Sequence, residues 1–158
     1  MQVLISISEQ SLTVNQQGAV LFQAQVSTAK EGAGEALQSN KTPRGRHYIR
    51  AKVGVGQPVD TVFVGRRPTG EIYTPELAKR FPDRDWILTR ILWLCGQEVG
   101  KNRLGEVDTM RRYIYIHGTP KAYPMGTPLS HGCIRMHNEA LLTVFDLVPA
   151  YTPVLIKE

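Results

Sequence analysis

The sequence predicts a mainly β domain, a sandwich or barrel, with one main helix after residue 138 and a short helix in a connection. Two observations predict it. Short runs of alternating apolar and polar residues recur along the chain, each bounded by Gly, Pro, Asn or Ser, which is the pattern of half-buried strands. By contrast, only the segment after Asn138 carries apolar residues at helical spacing over more than two turns. With 158 residues the chain is most simply one domain, 1–158, large enough to bury a core unaided by disulfides or metals.

Taken in order, Val3 to Ser8 alternates, Leu12 to Gln16 does so again, and Val20 to Val26 follows the polar turn Asn15-Gln16-Gln17-Gly18, a hairpin or short meander. Ser27 to Gly45 is rich in Gly, Ala, Ser, Lys and Asn and reads as a loop ending in Thr42-Pro43-Arg44-Gly45. Strands are expected at Arg46 to Ala51, Thr61 to Val64 and Trp86 to Leu94. Between the last two, Thr74 is an N-cap and Pro75 an N1 residue for a short helix through Lys79. Gly96 to Thr109 is polar and contains Gly, as a mobile loop beside a site would be.

Arg112 to His117 alternates as a strand, with Ile114 and Ile116 on one face and Tyr113, Tyr115 and His117 on the other. His117 then ends that strand on the tyrosine face. Asn138 is the expected cap of the main helix, whose apolar positions Leu141, Leu142, Phe145 and Val148 keep helical spacing until Pro149 stops it. Thr152 to Lys157 closes the fold as a strand.

A formal net charge of +5 favours anionic partners. The basic residues come as scattered pairs, Arg66-Arg67 and Arg111-Arg112, without the dense block and stacking aromatics of a nucleic-acid surface, so no nucleic-acid partner is expected. No window approaches the roughly 18 uninterrupted apolar residues of a membrane span. The start, Met1 to Glu9, lacks a basic segment and the continuous apolar run of a signal peptide, so a cytoplasmic location is expected, or a periplasmic one should a leader precede this sequence. Gly54 and Gly56, like Gly32 and Gly34, are isolated pairs and not a nucleotide fingerprint.

The chemistry concentrates near His117 and Cys133, sixteen positions apart. A free thiol has a pKa of about 8.5 and only its thiolate attacks, so a nucleophilic Cys needs an activating neighbour. Cys133 follows Ser130-His131-Gly132 and precedes Ile134-Arg135-Met136-His137-Asn138. A structural thiol is the competing reading, but the small and polar flanks suit an exposed nucleophile. Cys95, inside Leu92-Trp93-Leu94, reads as core.

His117 is the candidate base, and the carbonyl of Gly118 the candidate partner for its second ring nitrogen, the orienting role an Asp plays in a serine triad. Ser130 and Thr119 read as hydrogen-bond partners. His131 tunes the thiol or donates to substrate, and Arg135 pairs with a substrate carboxylate or sits in a salt bridge. His117, His131, Cys133 and His137 offer four zinc-ligand types, but their spacing matches no zinc motif and no Asp or Glu accompanies them. No metal or cofactor is expected.

These residues resemble the L,D-transpeptidase catalytic domain of the YkuD type. The signature of that family is His-Gly, a gap of a dozen or more residues, then Ser/Thr-His-Gly-Cys, an apolar residue, Arg and often Asn. Here it is matched by Ile116-His117-Gly118-Thr119, by Ser130-His131-Gly132-Cys133-Ile134-Arg135 and by Asn138, with a gap at the short end of the range. Thr42-Pro43-Arg44-Gly45 is similar to the family's weaker second signature, and the likeness runs over nearly the whole chain.

The resemblance implies a YkuD-like β-sandwich and a Cys that attacks the carbonyl of an L-centre, usually meso-diaminopimelate, in a peptidoglycan stem peptide. It makes Cys133 the nucleophile, His117 the base, the Gly118 carbonyl its orienter, and the backbone N–H groups around Gly132 and Cys133 the oxyanion hole. His131, Arg135, Ser130, Tyr115 and Asn138 would support the site or touch substrate. A thioester resolved by water gives an L,D-carboxypeptidase, and one resolved by an amine gives a transpeptidase that forms cross-links or anchors proteins to the wall. The expected partners are stem peptides or muropeptides, and hydrolysis before the terminal D-Ala of a tetrapeptide is the expected reaction. A non-catalytic peptidoglycan-binding module is the alternative of another class.

Overall fold

The computed structural model describes all residues, 1–158. The N-terminal alternation gives an antiparallel meander of β1 (Gln2–Ser6), β2 (Ser11–Gln16) and β3 (Ala19–Gln25). Its register sets Val3 against Val14 and Ile5 against Leu12, and all four are fully buried. β3 remains an exposed edge. On its other side β1 pairs in parallel with the last strand, β10 (Pro153–Lys157), which pairs antiparallel with β4 (Gly45–Val53).

β4 in turn pairs with the long strand β7 (Ile87–Gly96), where the sheet branches. One branch is the hairpin of β5 (Thr61–Val64) and β6 (Arg67–Ile72), reached through Val62–Leu88 and Phe63–Ile87. The other is β8 (Tyr115–Thr119), antiparallel to β7, followed by β9 (Ile134–His137), parallel to β8. The branch coincides with a register shift between Leu88 and Ile91, and Thr89 within it has a φ of 77°. One ten-stranded sheet therefore curls around a single main core.

The main helix, α2 (Asn138–Leu147), lays Leu141, Val144 and Phe145 on that core, against β7, β8 and β9. Those positions are i, i+3 and i+4, one helical stripe. The short helix α1 (Pro75–Arg80) starts as its sequence requires, with Thr74 Oγ1 accepting the Leu77 N–H at 3.1 Å and Pro75 in the first turn. No helix is long and apolar enough to cross a membrane.

Four expectations change. The strand expected at Arg112 to His117 starts at Tyr115 and runs to Thr119, because Arg112 and Tyr113 belong to a turn in which Tyr113 has a φ of 56°. His117 therefore lies mid-strand. β6 and β9 were not anticipated: β6 is an exposed edge containing Pro68 and Gly70, and β9 has four residues, too few for alternation to register. Residues 96–109 are tied down and do not form a free loop, since Asn102 is fully buried with Nδ2 donating to the carbonyls of Arg44 and Arg46 at 3.0 and 3.1 Å. Finally, His137 and not Asn138 occupies the cap position of α2, without a side-chain capping bond.

Candidate active site

Parallel pairing sets His117 opposite Arg135 and Thr119 opposite His137, so these four side chains share one face of the β8–β9 pair. Cys133 immediately precedes β9. The thiol, His117, Tyr115, Ser130, His131 and Arg135 open on one pocket of about 490 Å³. The segment 27–45 runs beside these residues, bridging Ser27 to Arg135 and Ala29 to Ser130.

Sγ of Cys133 donates to the Tyr113 carbonyl and accepts the Tyr115 N–H, both at 3.3 Å. Burial pushes this thiol up to about 12; the Tyr115 N–H opposes the rise, Asp85 adds to it, and Arg135 and Arg112 oppose it. The resting sulfur is protonated. His117 is 1% exposed, and its Nδ1 meets the Gly118 carbonyl at 2.6 Å. A carbonyl only accepts, so Nδ1 carries the proton and Nε2 keeps its lone pair. Burial lowers the pKa of this imidazole, with Asp85 and the Gly118 bond opposing, so it too is neutral at rest.

Gly118 admits no side chain: a Cβ there would meet Asn138 Oδ1 and lie 2.5 Å from the Leu88 carbonyl oxygen. The turn ahead of the thiol is equally constrained. Gly132 has a φ of 132°, open to glycine and rarely to other residues. Ser130 Oγ donates to the Cys133 carbonyl at 2.6 Å and accepts the Gly132 N–H at 3.2 Å. Thr42 Oγ1 donates to the Gly132 carbonyl at 2.9 Å and accepts the Ala29 N–H at 3.0 Å. Of the two N–H groups expected to bind an oxyanion, that of Gly132 is thus engaged by Ser130. The Cys133 N–H makes no hydrogen bond within the protein.

Charged groups ring the thiol. Arg135 is 7% exposed, its Nη2 lies 3.3 Å from Asp85 Oδ1, and its Nη1 donates to the Leu129 carbonyl at 3.3 Å. His131 is exposed, with Nδ1 3.9 Å from Asp85 Oδ2. Arg112 donates to the Lys41 carbonyl at 2.6 Å, and Arg66 to the Tyr115 hydroxyl at 3.0 Å. Asn138 stands apart from this group. It accepts from Thr89 Oγ1 at 2.7 Å, donates to Asp60 Oδ1 at 2.8 Å, and lines a separate pocket of about 740 Å³ with Thr119 and His137. Its contacts brace Gly118 from behind. No cluster of three or more His, Cys, Asp or Glu side chains has metal-binding geometry.

Residues 1–156 match the YkuD family, the L,D-transpeptidase catalytic domain. The chain belongs to this family. Forty-three of its residues, 27% of the chain, are 44% identical to YqjB of Bacillus subtilis (strain 168), provisionally named an L,D-transpeptidase, of which they cover 24%. L,D-transpeptidase 3 of Mycobacterium tuberculosis, solved with a faropenem-derived adduct, superposes with a TM-score of 0.61 over 99% of this chain and 60% of its own, at 18% identity. An L,D-transpeptidase from Mycobacterium smegmatis gives 0.58 over 99% and 58%, at 21% identity. The chain thus spans about a quarter of YqjB and under two thirds of these solved chains. The likeness to the solved structures shows the curled β fold.

Three residues lining the pocket of this L,D-transpeptidase domain were not anticipated from the sequence. Asp85 lies in a connection between α1 and β7 with no motif around it. Arg112 looked like a strand residue, although the turn gives it to the pocket. Arg66 carried a usable signal, the two-residue Gly65-Arg66 turn between β5 and β6, but in sequence it is only one member of a scattered basic pair.

Proposed function

We propose that this cysteine L,D-transpeptidase-family enzyme is an L,D-carboxypeptidase acting on peptidoglycan tetrapeptides, releasing the terminal D-Ala from meso-diaminopimelate. Its carrying observation is a neutral thiol and a neutral, Gly118-oriented imidazole opening on one pocket lined by Arg66, Arg112 and Arg135. His117 Nε2 takes the Sγ proton as sulfur attacks the diaminopimelate carbonyl. The oxyanion is met by the Cys133 N–H, and such a donor typically contributes on the order of 100-fold in rate. The imidazolium then returns its proton to the departing amine of D-Ala, leaving a thioester. Water, deprotonated by the same Nε2, releases the tripeptide and restores the thiol.

The charge of the pocket supports the reading of water as acceptor. Three Arg residues line the thiol's pocket against one carboxylate, Asp85, which is paired with Arg135. That surplus attracts the carboxylates of a muropeptide and disfavours an approaching ammonium. Soluble muropeptides are the proposed substrates and the cytoplasm the proposed location, which cell fractionation tests. Purified protein incubated with a diaminopimelate tetrapeptide should yield tripeptide and D-Ala by mass spectrometry. A cross-linked dimer as main product would overturn the hydrolytic reading.

A further inference from the structure

Three guanidinium groups open on the Cys133 pocket, and two are already committed. Arg112 donates to the carbonyls of Lys41, Gly34 and Glu35 and to Ser39 Oγ. Arg135, buried, holds Asp85 and the Leu129 carbonyl. Arg66 differs: it makes one hydrogen bond, from Nη1 to the Tyr115 hydroxyl at 3.0 Å, and no ion pair. Its Nε and Nη2 edge is left free.

The geometry around Arg66 is built and not incidental. Its guanidinium carbon lies 4.7 Å from the Trp93 ring centroid and 4.8 Å from that of Tyr113, which fixes its plane. It sits at the tip of the β5–β6 hairpin, where Gly65 and Arg66 have φ of 56° and 65°. Such a turn ordinarily takes Asn or Gly, and the left-handed conformation is unfavourable for a long side chain. The chain nonetheless puts there the one guanidinium of this pocket that is oriented yet uncommitted.

We infer that Arg66 is the receptor for the free α-carboxylate of the substrate's terminal residue and so confines attack to the last peptide bond. The free Nε–Nη2 edge presents two parallel N–H groups to the two carboxylate oxygens, a bidentate pairing that an ammonium does not reproduce. Arg135, the carboxylate partner expected from sequence, is excluded by its bond to Asp85. This rests on the proposed carboxypeptidase reading, in which the leaving residue carries that carboxylate.

The test compares a diaminopimelate tetrapeptide ending in free D-Ala with the same peptide ending in D-alaninamide, in the wild type, Arg66→Gln and Arg66→Lys. The wild type should favour the carboxylate by about 10- to 100-fold in kcat/KM, mostly through KM. Arg66→Gln should lose that factor on the carboxylate, leave the amide within about twofold, and so erase the preference; Arg66→Lys should keep part of it. Alkylation of Cys133 by neutral iodoacetamide should be the same in all three. Retention of the wild-type preference in Arg66→Gln, or equal loss on both substrates with alkylation unchanged, overturns the inference. If the wild type consumes the donor into cross-links, the hydrolytic reading falls, and the same comparison on donor consumption still decides Arg66.

Discussion

The protonation state of Cys133 is open to direct measurement. Burial takes the thiol from 9.0, close to the free-thiol value, to about 12, so baring a thiolate at neutral pH costs about 4 kcal/mol more than in water, at about 1.36 kcal/mol per tenfold. The thiolate fraction drops about a thousandfold. A more basic thiolate is also more nucleophilic, with a Brønsted slope of about 0.4–0.5, which returns part of that and leaves alkylation about 30- to 60-fold slower than for an unfolded-chain thiol. Iodoacetamide labelling followed by intact mass from pH 6 to 10 reads this, with Cys133→Ser reporting any reaction at buried Cys95. The rate should rise tenfold per pH unit without a plateau. His117→Ala should leave that profile nearly unchanged, because the imidazole is uncharged at rest, yet cut turnover by about 10²–10⁴. A plateau with its midpoint below pH 7 would instead reveal a thiolate–imidazolium pair and refute the neutral-pair mechanism.

Three further perturbations test the scaffold of the site. Gly118→Ala forces a Cβ to 2.5 Å from the Leu88 carbonyl oxygen; it should cost about 1–3 kcal/mol in urea unfolding and, by displacing the carbonyl that orients His117, about 100-fold in kcat. Thr42→Val keeps the shape but strands the buried Ala29 N–H and Gly132 carbonyl, so denaturation should show a loss of about 1–3 kcal/mol for each unpaired group. His47 is fully buried between the Gly45 carbonyl and Thr109 Oγ1, and burial lowers its pKa from 6.5 to about 4. The unfolded state therefore binds the extra proton first: this contribution is complete above pH 6.5 and is lost as pH falls to 4, by about 3 kcal/mol. His47→Gln should flatten that decline in urea melts at pH 7 and pH 4, and an unchanged slope would reject it.

Much of the fold was legible because its strands alternate and its helix keeps an i, i+3, i+4 stripe. The residues Ser130 to Cys133 were legible as a site because their neighbours in sequence are also neighbours in space. His117 joins them through the parallel pairing of β8 with β9, which a four-residue strand did not announce. Local pattern failed where a turn or a distant element decides. Tyr113 has a left-handed backbone that breaks the alternation counted through it, and Asn138 is drawn away by Thr89 and Asp60, 49 and 78 positions distant. Asp85 and Arg66 reach the pocket from the branch of the sheet at β7, a long-range feature invisible to periodicity.

Under the proposed mechanism a neutral pair at rest must become charged during attack, and the ring of side chains accounts for how. As sulfur bonds to carbon, one positive charge develops on His117 and one negative charge on the substrate oxygen. Asp85 favours the imidazolium and Arg135 opposes it, while Arg135 and Arg112 favour negative charge near sulfur and Asp85 opposes it. The Asp85–Arg135 pair, 3.3 Å apart, thus offers each developing charge an opposite partner without fixing a net charge on the resting thiol. In a partly buried pocket such fixed groups act more strongly than water would, and they need not reorganise. In the proposed mechanism burial disfavours a resting thiolate, and the fixed charges act on the two that develop only as sulfur attacks the substrate carbonyl.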